Sequence, residues 1–85
     1  MNTRDKVIDI LSEYRSSEKI YKLLEEGDSL TPLALNSIEF IKFTVDLELK
    51  FEITWGIEDM YLGKFESFNY LLNYIEERID RKNEG

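Results

Sequence analysis

Asn36 and Ser37 stand in the stretch LALNSIEFI, directly ahead of the strongest helical segment in the chain. A hydroxyl at a helix entrance can cap the helix, which is worth roughly 1 kcal/mol. It can also carry a phosphate-linked group, because the free N–H groups and the positive dipole end both favour a phosphodiester there. On the residues alone both readings stand. Other candidate chemistry is thinner. Glu58-Asp59 lacks the spacing of a calcium loop and reads as a solvated acidic turn. Tyr70 and Tyr74 are four apart on a helix and read as half-buried packing residues with wet hydroxyls. The chain has no cysteine and no histidine, which removes most zinc, iron and copper sites and every histidine-based nucleophile scheme. No convergent acid–base constellation is visible, so neither an enzyme nor a metal site is expected.

The chain has 85 residues, enough for one domain with a modest stability margin. Its net charge of −7 argues against nucleic acid, where a basic patch dominates affinity, and against anionic membranes. It favours encounter with basic protein surfaces. The excess is concentrated: residues 36–67 hold seven acids and three bases, against seven and five in residues 1–35 and four and three in residues 68–85. No stretch is long and apolar enough to span a bilayer, and MNTRDKVIDI lacks the apolar core of a signal peptide. A cytoplasmic monomer is expected.

The elements that must position Ser37 follow from periodicity. Thr3 reads as an N-cap for a helix carrying Val7, Ile10, Leu11 and Tyr14, which ends near Ser16-Ser17. IYKLLEE either extends that helix or forms a short turn of its own, and Gly27-Asp28-Ser29 stops it. LTPLAL, with the only proline, reads as a loop pinned to the core by Leu30, Leu33 and Leu35. A helix runs from Ser37 to about Lys50. Gly56 breaks the segment FEITWGIEDM, with a helical turn expected at 58–62, and Ser67 caps a last helix carrying Phe68, Leu71, Leu72, Ile75 and Ile79. The expected fold is all-α. It is a small four-helix bundle of three main helices plus one short helix before the last, with a long first loop. The domain covers 1–80, and residues 81–85 form a frayed tail.

The middle helix has two apolar faces. At 100° per residue, Phe40, Phe43, Leu47 and Phe51 fall on one side, and Ile38, Ile41, Val45 and Leu49 on the other. Glu39, Lys42, Asp46 and Lys50 lie along one flank, Thr44 and Glu48 along the other. The aromatic side is the natural core face. The aliphatic side is core if the helix is sandwiched; if exposed, it is an apolar strip rimmed by carboxylates, suited to protein docking.

The stretch LNSIEFIKFTVDLELKF, followed by FESFNYLLNYIEE, resembles the acyl carrier and peptidyl carrier protein family. In that family a serine opening the second main helix receives a phosphopantetheine arm whose thiol holds the cargo as a thioester. Asn36-Ser37-Ile38 occupies the Asp-Ser-Leu-like triplet, Ile41, Phe43, Val45, Leu47 and Phe51 the apolar positions that follow, and Ser67 through Ile75 the last helix. The resemblance covers about residues 3–79. It departs from the family at Asn36, where aspartate is usual, and at Lys42, where many fatty-acid carriers have an acid. A second triplet, Asp28-Ser29-Leu30, matches better by letter but is rejected, because Pro32 follows where a helix would be under way.

The resemblance implies a non-catalytic carrier with phosphopantetheine from coenzyme A attached at Ser37. It implies a docking surface of Asn36, Ile38, Glu39, Ile41, Val45, Asp46 and Glu48. The implied partners are a phosphopantetheinyl transferase, a loading enzyme (an adenylation enzyme or acyltransferase) and downstream processing enzymes. Asn-Ser-Ile, Lys42, Leu49 and the aromatic content favour specialised biosynthesis of the nonribosomal peptide or polyketide kind over housekeeping fatty-acid synthesis. Trp55 and Met60 read as core plugs; alternatively Trp55, Ile57 and Met60 shape the surface near the arm or line a cargo cleft. The competing reading is an unmodified acidic helical interaction module in which Ser37 is only a cap.

Overall fold

Asn2 starts the first helix: its side chain accepts the Asp5 N–H at 2.8 Å. The cap therefore stands one residue before the expected Thr3, which is instead the first helical residue of α1 (Thr3–Leu11). The computed structural model describes residues 2–54 and 67–84. α1 is shorter than its periodicity suggests. Tight bonds from Glu13 N–H to Ile10 O (3.1 Å) and Tyr14 N–H to Leu11 O (2.9 Å) turn the chain out of the helix. Ser16, expected near the end of this helix, instead caps the next by accepting the Lys19 N–H at 3.2 Å. IYKLLEE thus belongs to a separate helix, α2 (Ser17–Glu26).

The long first loop follows Gly27. It contains a 3₁₀ turn, Thr31–Leu33, which tolerates Pro32 because the proline lies in its first turn, and which ends on Ala34 with φ 51°. Leu30 and Leu33 are buried and Leu35 packs against the core, as expected of a pinned loop. Helix α3 (Ser37–Phe51) comes next and closes on Glu52 with φ 54°. Helix α4 (Phe68–Glu84) completes the described chain. α4 runs on through 81–84, the stretch in which a frayed tail was expected. Its last turn is basic, Arg81 pairs with Glu77 at 2.9 Å, and Lys82 reaches Glu52 at 3.5 Å, all of which favour helix at a C-terminus.

The fold is an all-α bundle with four helices among the described residues. The short helix expected at 58–62, with Trp55, Ile57, Met60 and Glu58-Asp59, lies outside the described residues. α1 is the hub and packs against α2, α3 and α4. The core joins Val7, Ile10 and Leu11 of α1, Ile20 of α2, Leu33 of the loop, Phe43 and Leu47 of α3, and Leu71 and Ile75 of α4. Among the described residues, no helix is long and apolar enough to cross a membrane.

Asp28 ties the loop to α4. Its backbone carbonyl accepts the Phe68 N–H at 2.7 Å, and its carboxylate accepts the Ser67 hydroxyl and the Asn69 N–H (3.1 Å). The Ser67 hydroxyl in turn accepts the Tyr70 N–H at 3.1 Å. Ser67 is therefore the expected cap, assisted by a residue far away in sequence. Beside it, Ser29 and Ser67 form an isolated antiparallel bridge. The better-spelled triplet Asp28-Ser29-Leu30 is a loop anchor, not a helix entrance.

Candidate functional site at the entrance of α3

The entrance of α3 is closed by a reciprocal cap. Asn36 Oδ1 accepts the Glu39 N–H at 2.8 Å, and Glu39 Oε1 accepts the Asn36 N–H at 3.0 Å. Asn36, not Ser37, is the cap. Ser37 is the first helical residue, it is exposed, and its hydroxyl bonds no described residue. The backbone N–H groups of Ser37 and Ile38, too early in the helix for an intrahelical acceptor, also bond no described residue. A solvent-facing hydroxyl thus sits beside two unused donors at the positive end of a 15-residue helix. These groups fit a phosphodiester on Ser37.

The two apolar faces of α3 have opposite environments. Phe43 and Leu47 are fully buried, Phe51 is buried, and Phe40 is half-buried against the core. On the other side Ile38, Ile41, Val45 and Leu49 are 68%, 60%, 44% and 72% exposed. Among the described residues nothing sandwiches α3 on this side: the strip begins one residue after Ser37 and is exposed from Ile38 to Leu49. Thr44, on the flank, is buried and returns its hydroxyl to Ile41 O at 2.7 Å.

The expected carboxylate rim is largely engaged inside the protein. Glu39 receives two parallel hydrogen bonds from Arg15, at 2.8 and 3.0 Å. That guanidinium, followed by the Asn36 N–H, holds the Glu39 carboxyl down at about 2, far below its ordinary value of 4.5. Asp46 accepts the Tyr14 hydroxyl at 2.6 Å. Burial, then this bond to a carboxylate, pushes the Tyr14 phenol up to about 12. Glu48 is half-buried and is also engaged. Lys42 and Lys50 are exposed and form no ion pair with any described residue. The rim expected from Glu39, Asp46 and Glu48 is therefore narrower as a free acidic surface than the sequence implied, because the turn after α1 has claimed two of its charges.

Arg15 was not visible as a site residue in the sequence, nor was Tyr14 except as a core-stripe member. Their partners lie on α3, and only the folded chain brings them together. Glu39 carried a weak signal, standing three residues after Asn36 as a capping box requires. Tyr74 is half-buried as expected and stacks under Arg78, whereas Tyr70 is 52% exposed and not a packing residue. Among the described residues no cluster of three or more acidic, histidine or cysteine side chains could hold a metal ion. Compared with protein-family models, curated proteins and solved structures, the chain shows no significant match to any of them.

Proposed function

We propose that the protein is a carrier whose Ser37 bears phosphopantetheine and whose α3 strip docks the enzymes that load and use the arm. The observation that supports this most is the juxtaposition at the α3 entrance. An exposed hydroxyl that bonds no described residue stands beside two N–H groups that also bond none, next to Ile38, Ile41 and Val45, which are exposed although apolar. The resemblance of Asn36-Ser37-Ile38 and of the helix after it to carrier proteins supports the same reading.

Modification would proceed as group transfer. The Ser37 oxygen forms a bond to the pantetheine-side phosphorus of coenzyme A and the bridging P–O bond breaks. Adenosine bisphosphate leaves, and the hydroxyl proton passes to a base of the transferase. The positive end of α3, with the Ser37 and Ile38 N–H groups, favours the phosphodiester that results. When bound, the arm supplies a thiol that holds an acyl or aminoacyl cargo as a thioester. With no cysteine in the chain, no internal thiol competes for that cargo. The protein itself catalyses nothing; tethering raises the local concentration of the cargo at each partner. We assign it to specialised biosynthesis in the cytoplasm, acting as a monomer. Lys42 and Leu49 on α3 favour this over a fatty-acid synthesis carrier.

The test is incubation of the unmodified protein with coenzyme A and several phosphopantetheinyl transferases, read by intact mass and peptide mapping. The carrier reading expects one addition at Ser37, retained in Ser29→Ala and lost in Ser37→Ala. No addition with any transferase would leave the exposed strip as the binding face of an unmodified interaction module.

A further inference from the structure

Arg15 stands in the turn after α1 and uses its whole guanidinium at the α3 entrance. Nε donates to Leu33 O at 2.8 Å and Nη2 to Ala34 O at 3.0 Å. Nη1 donates to Tyr14 O at 2.7 Å and to Glu39 Oε2 at 2.8 Å, and Nη2 also donates to Glu39 Oε1 at 3.0 Å. An arginine has five N–H donors, and each has an acceptor here. Two acceptors lie just before Ser37, at the end of the loop, and two belong to the residue that completes the cap just after it. One acceptor belongs to the turn itself. The loop end needs such a hold, because Ala34 sits in the left-handed region at φ 51°, which an alanine rarely adopts unaided. Between these points the Ser37 hydroxyl and N–H make no hydrogen bond to a described residue, so the direction of the side chain is set by the clamped backbone on either side.

We propose that Arg15 is the positioning residue for group transfer onto Ser37: one saturated guanidinium fixes the backbone before and after the serine and so holds the Cα–Cβ bond that carries its hydroxyl in a single direction. This rests on the carrier reading above. Arginine suits the task better than lysine because its planar fork engages the Glu39 carboxylate through two bonds while its Nε reaches a third acceptor. A misplacement of about 1 Å at a reacting atom costs on the order of a hundredfold in rate.

The experiment compares the wild type with Arg15→Gln, Arg15→Lys and a core variant remote from the entrance, Ile20→Val, which lowers thermal stability without touching the clamp. Each is assayed for transfer from coenzyme A at a temperature well below its melting point, with kcat and KM for the carrier separated. Amide hydrogen exchange at Glu39 and Phe40, whose N–H groups are held by Asn36 Oδ1 and Asn36 O at 2.8 Å each, is measured in the absence of any transferase. For Arg15→Gln we expect kcat to fall by roughly ten- to a hundredfold with a smaller change in KM. We expect exchange at Glu39 and Phe40 to quicken about tenfold, with Arg15→Lys in between and Ile20→Val unchanged in both. If Arg15→Gln does not fold, Arg15→Lys carries the comparison. Wild-type kcat and exchange in the folded Arg15 variants would overturn the proposal while leaving the carrier reading intact. An equal loss in Ile20→Val would overturn it too, reducing Arg15 to a stability residue. Failure of the wild type itself to accept the arm would remove the carrier reading and this inference together.

Discussion

The Tyr14 hydroxyl donates a 2.6 Å hydrogen bond to the Asp46 carboxylate, and its ring meets Phe43 edge-on with centroids 6.3 Å apart. One side chain from the turn after α1 thus touches the core face of α3 and, through its polar end, the flank of the same helix. The neighbouring Arg15 holds Glu39 one to two turns earlier. Two consecutive residues therefore dock α3 and consume acids that would otherwise face solvent beside the strip.

Tyr14→Phe keeps the ring and removes the bond to a partly buried carboxylate. We expect a loss of about 1.5 kcal/mol at neutral pH, the lower end for a charge-assisted bond because Asp46 retains some access to water. The pH dependence has a definite sign. Folding raises the phenol from 10 to about 12, so the native state binds the proton more tightly. Its contribution is complete below 10 and is lost as pH rises from 10 through 12. Urea midpoints across that window should fall more steeply for the wild type than for Tyr14→Phe; parallel slopes would contradict the bond.

Glu39 gives the opposite window. Its carboxyl is held at about 2 by the Arg15 guanidinium and the Asn36 N–H, against an ordinary 4.5. The stability it contributes is complete above 4.5 and is lost as pH falls from there through 2. Glu39→Gln keeps an acceptor for the cap but has no proton to gain. Denaturation between pH 5 and 2, followed by circular dichroism (approximate bounds chosen to bracket the shift), should show the wild type losing more stability than Glu39→Gln over that interval. Equal losses would mean the clamp is not closed in solution.

Local signals served the helix interiors well and their ends badly. The two apolar faces of α3, the stripe of α4 and the leucines of the loop were legible because burial follows 3.6-residue periodicity. The ends were misread at Thr3 and Ser16 because several serine, threonine and asparagine residues compete as caps, and only backbone geometry decides among them. Arg15 and Asp28 were illegible as structural residues. Their acceptors and donors lie 24 and 41 positions away along the chain, and no period links such pairs. The exposure of the strip was likewise open, since periodicity says that a second face exists but not what covers it.

Opposite faces of α3 should respond oppositely to truncation. Phe43 is fully buried, and Phe43→Ala is expected to cost about 3–5 kcal/mol, enough to unfold a small domain. Ile41 is 60% exposed, and Ile41→Ala should change stability by no more than about 0.5 kcal/mol. Val45→Asp should likewise stay folded and helical while losing transfer by a cognate enzyme. Substantial unfolding of either strip variant would mean that the strip is covered in solution.

The loop anchor predicts a stability effect without a functional one. Asp28 serves the Ser67 hydroxyl and the Asn69 N–H at the start of α4, so Asp28→Ala should cost about 1–2 kcal/mol, the range of a lost cap. It should leave modification at Ser37 intact in the folded fraction. If Asp28→Ala abolished modification in fully folded protein, the two triplets would not be as separate as the structure makes them.

The engaged rim bears on how a partner approaches. A net charge of −7 would by itself suggest encounter strongly favoured by low salt. Beside the strip, however, Glu39 is compensated by Arg15, Asp46 lies between Lys42 and Lys50 on the same flank, and both lysines are exposed without an ion pair to a described residue. Charges farther away are screened beyond about 10 Å at 0.1 M salt. Apolar contact at Ile38, Ile41 and Val45 should then dominate. Raising salt from about 20 to 200 mM is expected to lower kcat/KM for transfer by less than roughly threefold, whereas Val45→Asp lowers it by more than roughly tenfold. Lys42→Glu should steepen the salt dependence toward a basic enzyme, because it leaves a carboxylate at the strip with no internal cation to satisfy it. A wild-type loss of tenfold or more over that salt range would show that charge, not the strip, brings the partner in.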